Sequence, residues 1–158
     1  MSSQTVGRPM EILLVEDGLV DARVTISALQ KGQVQHRLTL VRDGAEAMDF
    51  LHRMGHFARA PRPDLVLLDL HLPKKDGLEV LAEVKADPSL KSIPLVVLTA
   101  SEASADRARC EQLGVNSYIT KPVDLDKFLA VVRDLRHHWH ADLILPLGKE
   151  ESGRRKEE

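Results

Sequence analysis

Asp69 ends the apolar run Leu65-Val66-Leu67-Leu68 and opens the stretch Leu70-His71-Leu72-Pro73-Lys74-Lys75-Asp76-Gly77, so a carboxylate sits where a buried strand would surface. A carboxylate in that place suits nucleophilic capture of a phosphoryl group. Three other strand-like runs also end in polar groups: Glu16-Asp17 after Ile12-Leu13-Leu14-Val15, Thr99 after Leu95-Val96-Val97-Leu98, and Lys121-Pro122 after Tyr118-Ile119-Thr120. Open α/β sheets gather ligands at such strand ends.

If the first and third strands are neighbours, Glu16, Asp17 and Asp69 converge, and three like charges repel one another unless a cation intervenes. Hard oxygen ligands with room for water favour Mg²⁺, which also bridges to phosphate oxygens. Asp69 is then the nucleophile and Asp17 a direct metal ligand. Lys121 brings a compact positive charge that can pair with Asp69 at rest and with phosphoryl oxygens after transfer. Thr99 offers a hydroxyl that can donate to a phosphoryl oxygen once that group is present. Taken singly, these residues have ordinary alternatives: a loop carboxylate, a helix cap and a surface charge.

The elements that must position them follow from periodicity. Short apolar runs alternate with helical patterns of ten or more residues, which predicts five strand-helix units around a parallel sheet covered on both faces. Strands are expected near 11–16, 36–41, 64–69, 93–98 and 115–120. Ala22, Ile26 and Leu29 share a face of a first helix that ends before Gly32. Ala47, Phe50, Leu51 and Met54 share a face of the second. A third helix starts at Asp76 or Gly77, where Asp76 followed by Glu79 resembles a capping box. Its inner side carries Leu78, Leu81 and Ala82, and Pro88 marks its exit. A fourth, near 102–113, is polar and packs through Ala105, Ala108, Leu113 and Cys110, with Gly114 as its C-terminal cap. The fifth carries Leu125, Phe128, Leu129, Val132, Leu135 and Trp139 on one stripe. The 52–63 connection is longer than this architecture requires and is either a basic partner contact or a surface extension.

With 158 residues, one compact domain is the default, and it needs neither disulfides nor a structural metal. Cys110 stands alone, which excludes an internal disulfide and fits the cytoplasm. No signal-like segment opens the chain and no run is long enough to span a bilayer, so no membrane association is expected. Lys+Arg of 22 against Asp+Glu of 24 leaves a formal charge of −2 without a basic stripe, which speaks against nucleic-acid binding.

Together, the acidic pair in Leu14-Val15-Glu16-Asp17, Asp69 in Leu68-Asp69-Leu70, Pro73 with Asp76-Gly77, Leu98-Thr99-Ala100, and Tyr118 with Lys121-Pro122 carry a family resemblance. From about Glu11 to Trp139 the chain resembles a response-regulator receiver domain of two-component systems. The resemblance implies a flavodoxin-like (CheY-like) fold: a five-stranded parallel sheet with helices on both faces. It implies that Asp69 accepts a phosphoryl group from a phosphohistidine on a sensor histidine kinase. Mg²⁺ would be held by Asp17, Asp69 and the His71 backbone carbonyl, with Glu16 assisting. It further implies that Thr99 and Tyr118 act as switch residues, remodelling the face of helix four, strand five and helix five for a downstream protein. Within the family, the long loop before strand three, the segments 72–77 and 120–126, and His138-Trp139 are similar to small regulators that accompany phytochrome-type kinases. Gly18 replaces a frequent polar residue, and His71 and Ser101 flank the route of attacking water, which bears on the lifetime of the acyl phosphate.

The domain plan is a flexible N-terminus over 1–9, a receiver over 10–140, and an extension with a charged tail over 141–158. The apolar Ala141-Asp142-Leu143-Ile144-Leu145-Pro146-Leu147 either covers the protein's own surface or joins a homodimer through helix five. His137, His138 and His140 fit a helix C-terminus better than a metal site. Alternative functions are an unphosphorylated scaffold of the same fold and an aspartate-nucleophile phosphohydrolase. The second lacks the further Asp such enzymes need two residues on, where His71 stands. Nucleotide-binding glycine motifs are missing from the sequence.

Overall fold

The computed structural model describes residues 8–31, 35–100 and 104–139. Five strands, β1 (Met10–Val15), β2 (His36–Val41), β3 (Leu65–Asp69), β4 (Leu95–Thr99) and β5 (Ser117–Thr120), form one sheet in the order β2-β1-β3-β4-β5. All four pairings are parallel. The connections carry α1 (Leu19–Lys31), α2 (Gly44–His52), α3 (Gly77–Ala86) and α4 (Ser104–Gln112), and α5 (Leu125–Leu135) follows β5.

Strand residues alternate between two cores, as the two-residue period of a pleated strand demands. Met10, Ile12, Leu14, Leu65, Leu67, Val96 and Leu98 face α1 and α5, where Ala22, Leu29, Phe128, Val132 and Leu135 complete one core. Leu13, Val15, Val66, Leu68, Leu95 and Val97 face the other side, closed by Phe50 of α2, Val80, Leu81 and Val84 of α3, and Cys110 of α4. The doubly covered sheet expected from the sequence is therefore present.

Side chains fix where helices begin. Asp43 accepts from the Glu46 N–H at 2.7 Å, and Asp124 accepts from the Lys127 N–H at 2.8 Å. Asp76 and Glu79 form the complete capping box, each carboxylate accepting from the other's backbone N–H at 3.0 Å. Gly114, at φ +88°, follows α4, and the Val115 N–H closes that turn on the Cys110 carbonyl.

Several boundaries and faces depart from expectation. β4 begins at Leu95 rather than near residue 93, because the Ile93 N–H turns back to Leu90 and Pro94 has none to give. β5 begins at Ser117 because Val115 still belongs to the α4 cap. Met54 lies beyond α2 and is exposed: Arg53 adopts a left-handed φ of 57° and ends the helix. The inner face of α3 is Gly77, Val80, Leu81 and Val84, while Leu78 and Ala82 are half-buried. On α4 Cys110 is buried but Ala105 and Ala108 are exposed, so the helix is held by Cys110 and, just past its end, Leu113.

Trp139 is not on the α5 stripe. A 3-10 turn over Arg136–His138 intervenes, and the indole N–H donates to the Asp64 carbonyl at 2.6 Å. The Asp64 carboxylate meets Arg8 with two bonds of 2.8 and 2.9 Å and accepts from the Glu11 N–H. In the 52–63 connection a 3-10 turn over Gly55–Phe57 places Phe57 edge-on to Phe50, with ring centroids 5.3 Å apart. The expectations for 1–7 and 141–158, together with Gly32, Ser101 and His140, fall outside the described residues.

Candidate functional site

The register assembles the site. β1 pairs with β3 from Ile12 opposite Leu65 to Val15 opposite Leu68, so the next residues, Glu16 and Asp69, emerge side by side. Asp69 pairs with Leu98, and Thr99 pairs with Thr120. Thr99 and Lys121 therefore come one step further along the same edge, where the Lys121 N–H donates to the Thr99 carbonyl at 2.8 Å. One carboxylate oxygen from each of Glu16, Asp17 and Asp69 lies within 4.8 Å of the others. Glu16 and Asp69 are buried, at 1% and 4% exposure.

Lys121 enters this cluster with its ammonium 2.7 Å from Glu16 Oε1, 2.9 Å from Asp21 Oδ2 and 3.4 Å from Asp69 Oδ2. Burial alone would lower the ammonium's pKa, but hydrogen bonding to Glu16 and Asp21 and the Asp69 charge raise it overall, so Lys121 stays charged. Burial pushes the Glu16 carboxyl up to about 7. The Lys121 ammonium and the Gly18 N–H oppose that rise, and the neighbouring Asp69 charge adds to it.

The donor set fits a hard divalent cation. Glu16 Oε1 is buried, and among the described residues it meets the Lys121 ammonium at 2.7 Å. A second oxygen of the same group, Oε2, is occupied by the Gly18 N–H at 3.1 Å. A buried carboxylate beside two further carboxylates, with one oxygen of each within 4.8 Å of the others, matches the all-oxygen coordination of magnesium or manganese.

Backbone packing holds the acidic residues in place. A Cβ at Gly77 would collide with the Asp69 carbonyl and Leu70 Cα, so only glycine lets α3 approach the end of β3 this closely. The Gly77 N–H donates to the Leu70 carbonyl at 2.8 Å. Arg42 clamps the Asp17 carbonyl with bonds of 2.7 and 3.2 Å. The His71 N–H donates to Asp69 Oδ1 at 3.3 Å, and Asp17, Leu70, His71, Pro73, Asp76 and Asp106 line the cleft above the cluster.

The model of the response regulator receiver domain matches residues 12–133. The chain belongs to that family. Response regulator Rcp1 of Synechocystis sp. (strain ATCC 27184 / PCC 6803 / Kazusa) is 45% identical over 138 residues, covering 87% of this chain and 94% of that protein. The crystal structure of Mn²⁺-bound Rcp1 superposes with a TM-score of 0.71 over 87% of this chain and 99% of that one. The phosphorylated cyanobacterial phytochrome response regulator RcpA is 47% identical, with a TM-score of 0.72 and the same coverage. The bacteriophytochrome response regulator AtBRR is 42% identical, with a TM-score of 0.76 over 84% of this chain and 96% of that one. Receivers of this kind are generally signalling proteins rather than enzymes.

In this receiver, Thr99 is fully buried at the end of β4, and Tyr118 is half-buried on β5 with the Arg107 guanidinium 4.5 Å above its ring. Sequence reasoning placed Glu16, Asp17, Asp69, Thr99 and Lys121 at one sheet edge, and all five are there. It missed Asp21, on the first turn of α1, and Arg42. Asp21 is 100 residues from Lys121 in sequence and looks like an acid favoured by a helix N-terminus, so no local signal marked it. The His138 ring meets the Leu135 carbonyl at 3.2 Å, in keeping with a helix-end role.

Proposed function

We propose that this receiver, spanning residues 10–140, takes a phosphoryl group on Asp69 from a phosphohistidine of a sensor histidine kinase of the phytochrome type. The reading rests above all on one observation: three carboxylates meet within 4.8 Å at the strand ends, with the Lys121 ammonium among them. An Asp69 carboxylate oxygen attacks phosphorus, the bond from phosphorus to the imidazole nitrogen breaks, and the imidazole leaves with the electron pair. Glu16, Asp17, Asp69 and the His71 carbonyl would hold Mg²⁺, which would supply charge neutralisation for the incoming group.

Lys121 takes a phosphoryl oxygen as its partner. The Thr99 hydroxyl donates to another, and Tyr118 follows it inward, changing the face of α4, β5 and α5 that a downstream protein reads. Water attacking phosphorus, with the Asp69 carboxylate as leaving group, resets the switch. This chemistry belongs to the cytoplasm, and a homodimer is a further expectation. Incubation with a small acyl phosphate and Mg²⁺ should add one phosphoryl mass to the wild type and none to Asp69→Asn. Equal labelling of both would remove Asp69 as the acceptor.

A further inference from the structure

The Lys121 ammonium lies closer to Glu16 and Asp21, at 2.7 and 2.9 Å, than to Asp69 at 3.4 Å. Its three donors are thus drawn toward the α1 side of the site. The two nearer partners differ in kind. Glu16 is enclosed at 1% exposure and cannot trade Lys121 for water, whereas the Asp21 side chain is 53% exposed. Asp21 can therefore release the ammonium at little cost, because water replaces it.

We propose that Asp21 is a positioning residue that holds the Lys121 ammonium back from Asp69 until a phosphoryl group arrives and draws it over. The proposal builds on the reading of Asp69 as acceptor and Lys121 as its cation. Drawn toward Asp21, Lys121 neutralises Asp69 less, which leaves that carboxylate more open to a divalent ion. The same pull opposes the phosphoryl oxygens, which need the ammonium for themselves. Asp21 thus favours the cation and disfavours the phosphoryl group, two effects of opposite sign from one ion pair.

Calorimetric titration with Mg²⁺, and then with beryllofluoride as phosphoryl analogue at saturating Mg²⁺, reads both. Asp21→Asn should weaken Mg²⁺ binding and tighten beryllofluoride binding, each about threefold, the size of a partly exposed ion pair. Asp21→Glu should restore both toward wild type. In a Lys121→Met background, Asp21→Asn should change neither, since the effect passes through the ammonium. Weakening of both ligands together would mean that Asp21 merely supports α1, and persistence of the opposed shifts without Lys121 would mean a through-space field. Either result, or no change, overturns the proposal. Beryllofluoride binding to Asp69→Asn would instead overturn the acceptor reading, so the two failures are distinguishable.

Discussion

Glu16 combines near-complete burial with a neighbouring carboxylate, and its carboxyl is raised from 4.5 to about 7. Between those two pH values the native protein holds a proton on Glu16 that the unfolded chain has lost, so stability falls as pH rises through this window. The contribution is fully present below 4.5 and gone above about 7. Urea melts of the metal-free protein should show this fall steepened in the wild type relative to Glu16→Gln; parallel pH curves for the two would refute it. The acidic pair and Asp69 were legible in the sequence because each ends an apolar run. Asp21 was not, since its partner Lys121 is reached only through the fold.

At the level of elements, α3 ties its own start to the acceptor strand. Gly77→Ala should push α3 off the end of β3, costing about 1–3 kcal/mol in a denaturant melt, and should weaken Mg²⁺ binding by shifting Asp69. Asp76→Ala removes the capping box and should cost about 1 kcal/mol in the same melt. The cap could be read from Asp76 and Glu79 alone, but the buried face could not. Residues 78, 80, 81, 82 and 84 are all apolar, so a 3.6-residue period selects no unique stripe. Gly77 decides it: its contact with Asp69 fixes the rotation that turns Val80, Leu81 and Val84 inward. On the polar α4, no pattern could reveal that the exposed alanines leave the packing to Cys110 and Leu113.

At the scale of the molecule, the sheet separates two polar ends. The acidic cluster lies at the C-terminal edge of the strands, while Arg8, Glu11, Asp64 and Trp139 tie the opposite edge. Asp64→Ala should cost about 1–3 kcal/mol of stability by removing the carboxylate to which the Glu11 N–H and Arg8 donate, yet leave Mg²⁺ affinity unchanged. A comparable loss of Mg²⁺ binding would mean that the two ends are coupled. The five-unit plan and its convergence on one edge were legible because strand and helix periods differ sharply. The second edge was not, since Asp64 carries no motif and meets Trp139 only after the 3-10 turn bends the chain away from α5.

Cys110 is the chain's sole thiol, it is fully enclosed, and its burial raises its pKa, so reagents in solvent should find it inert in the closed protein. The rate at which a maleimide consumes it then becomes a clock for α4 lifting from the sheet. Run with and without beryllofluoride, that clock reports whether occupancy of the acidic pocket tightens or frees this helix, without any engineered label.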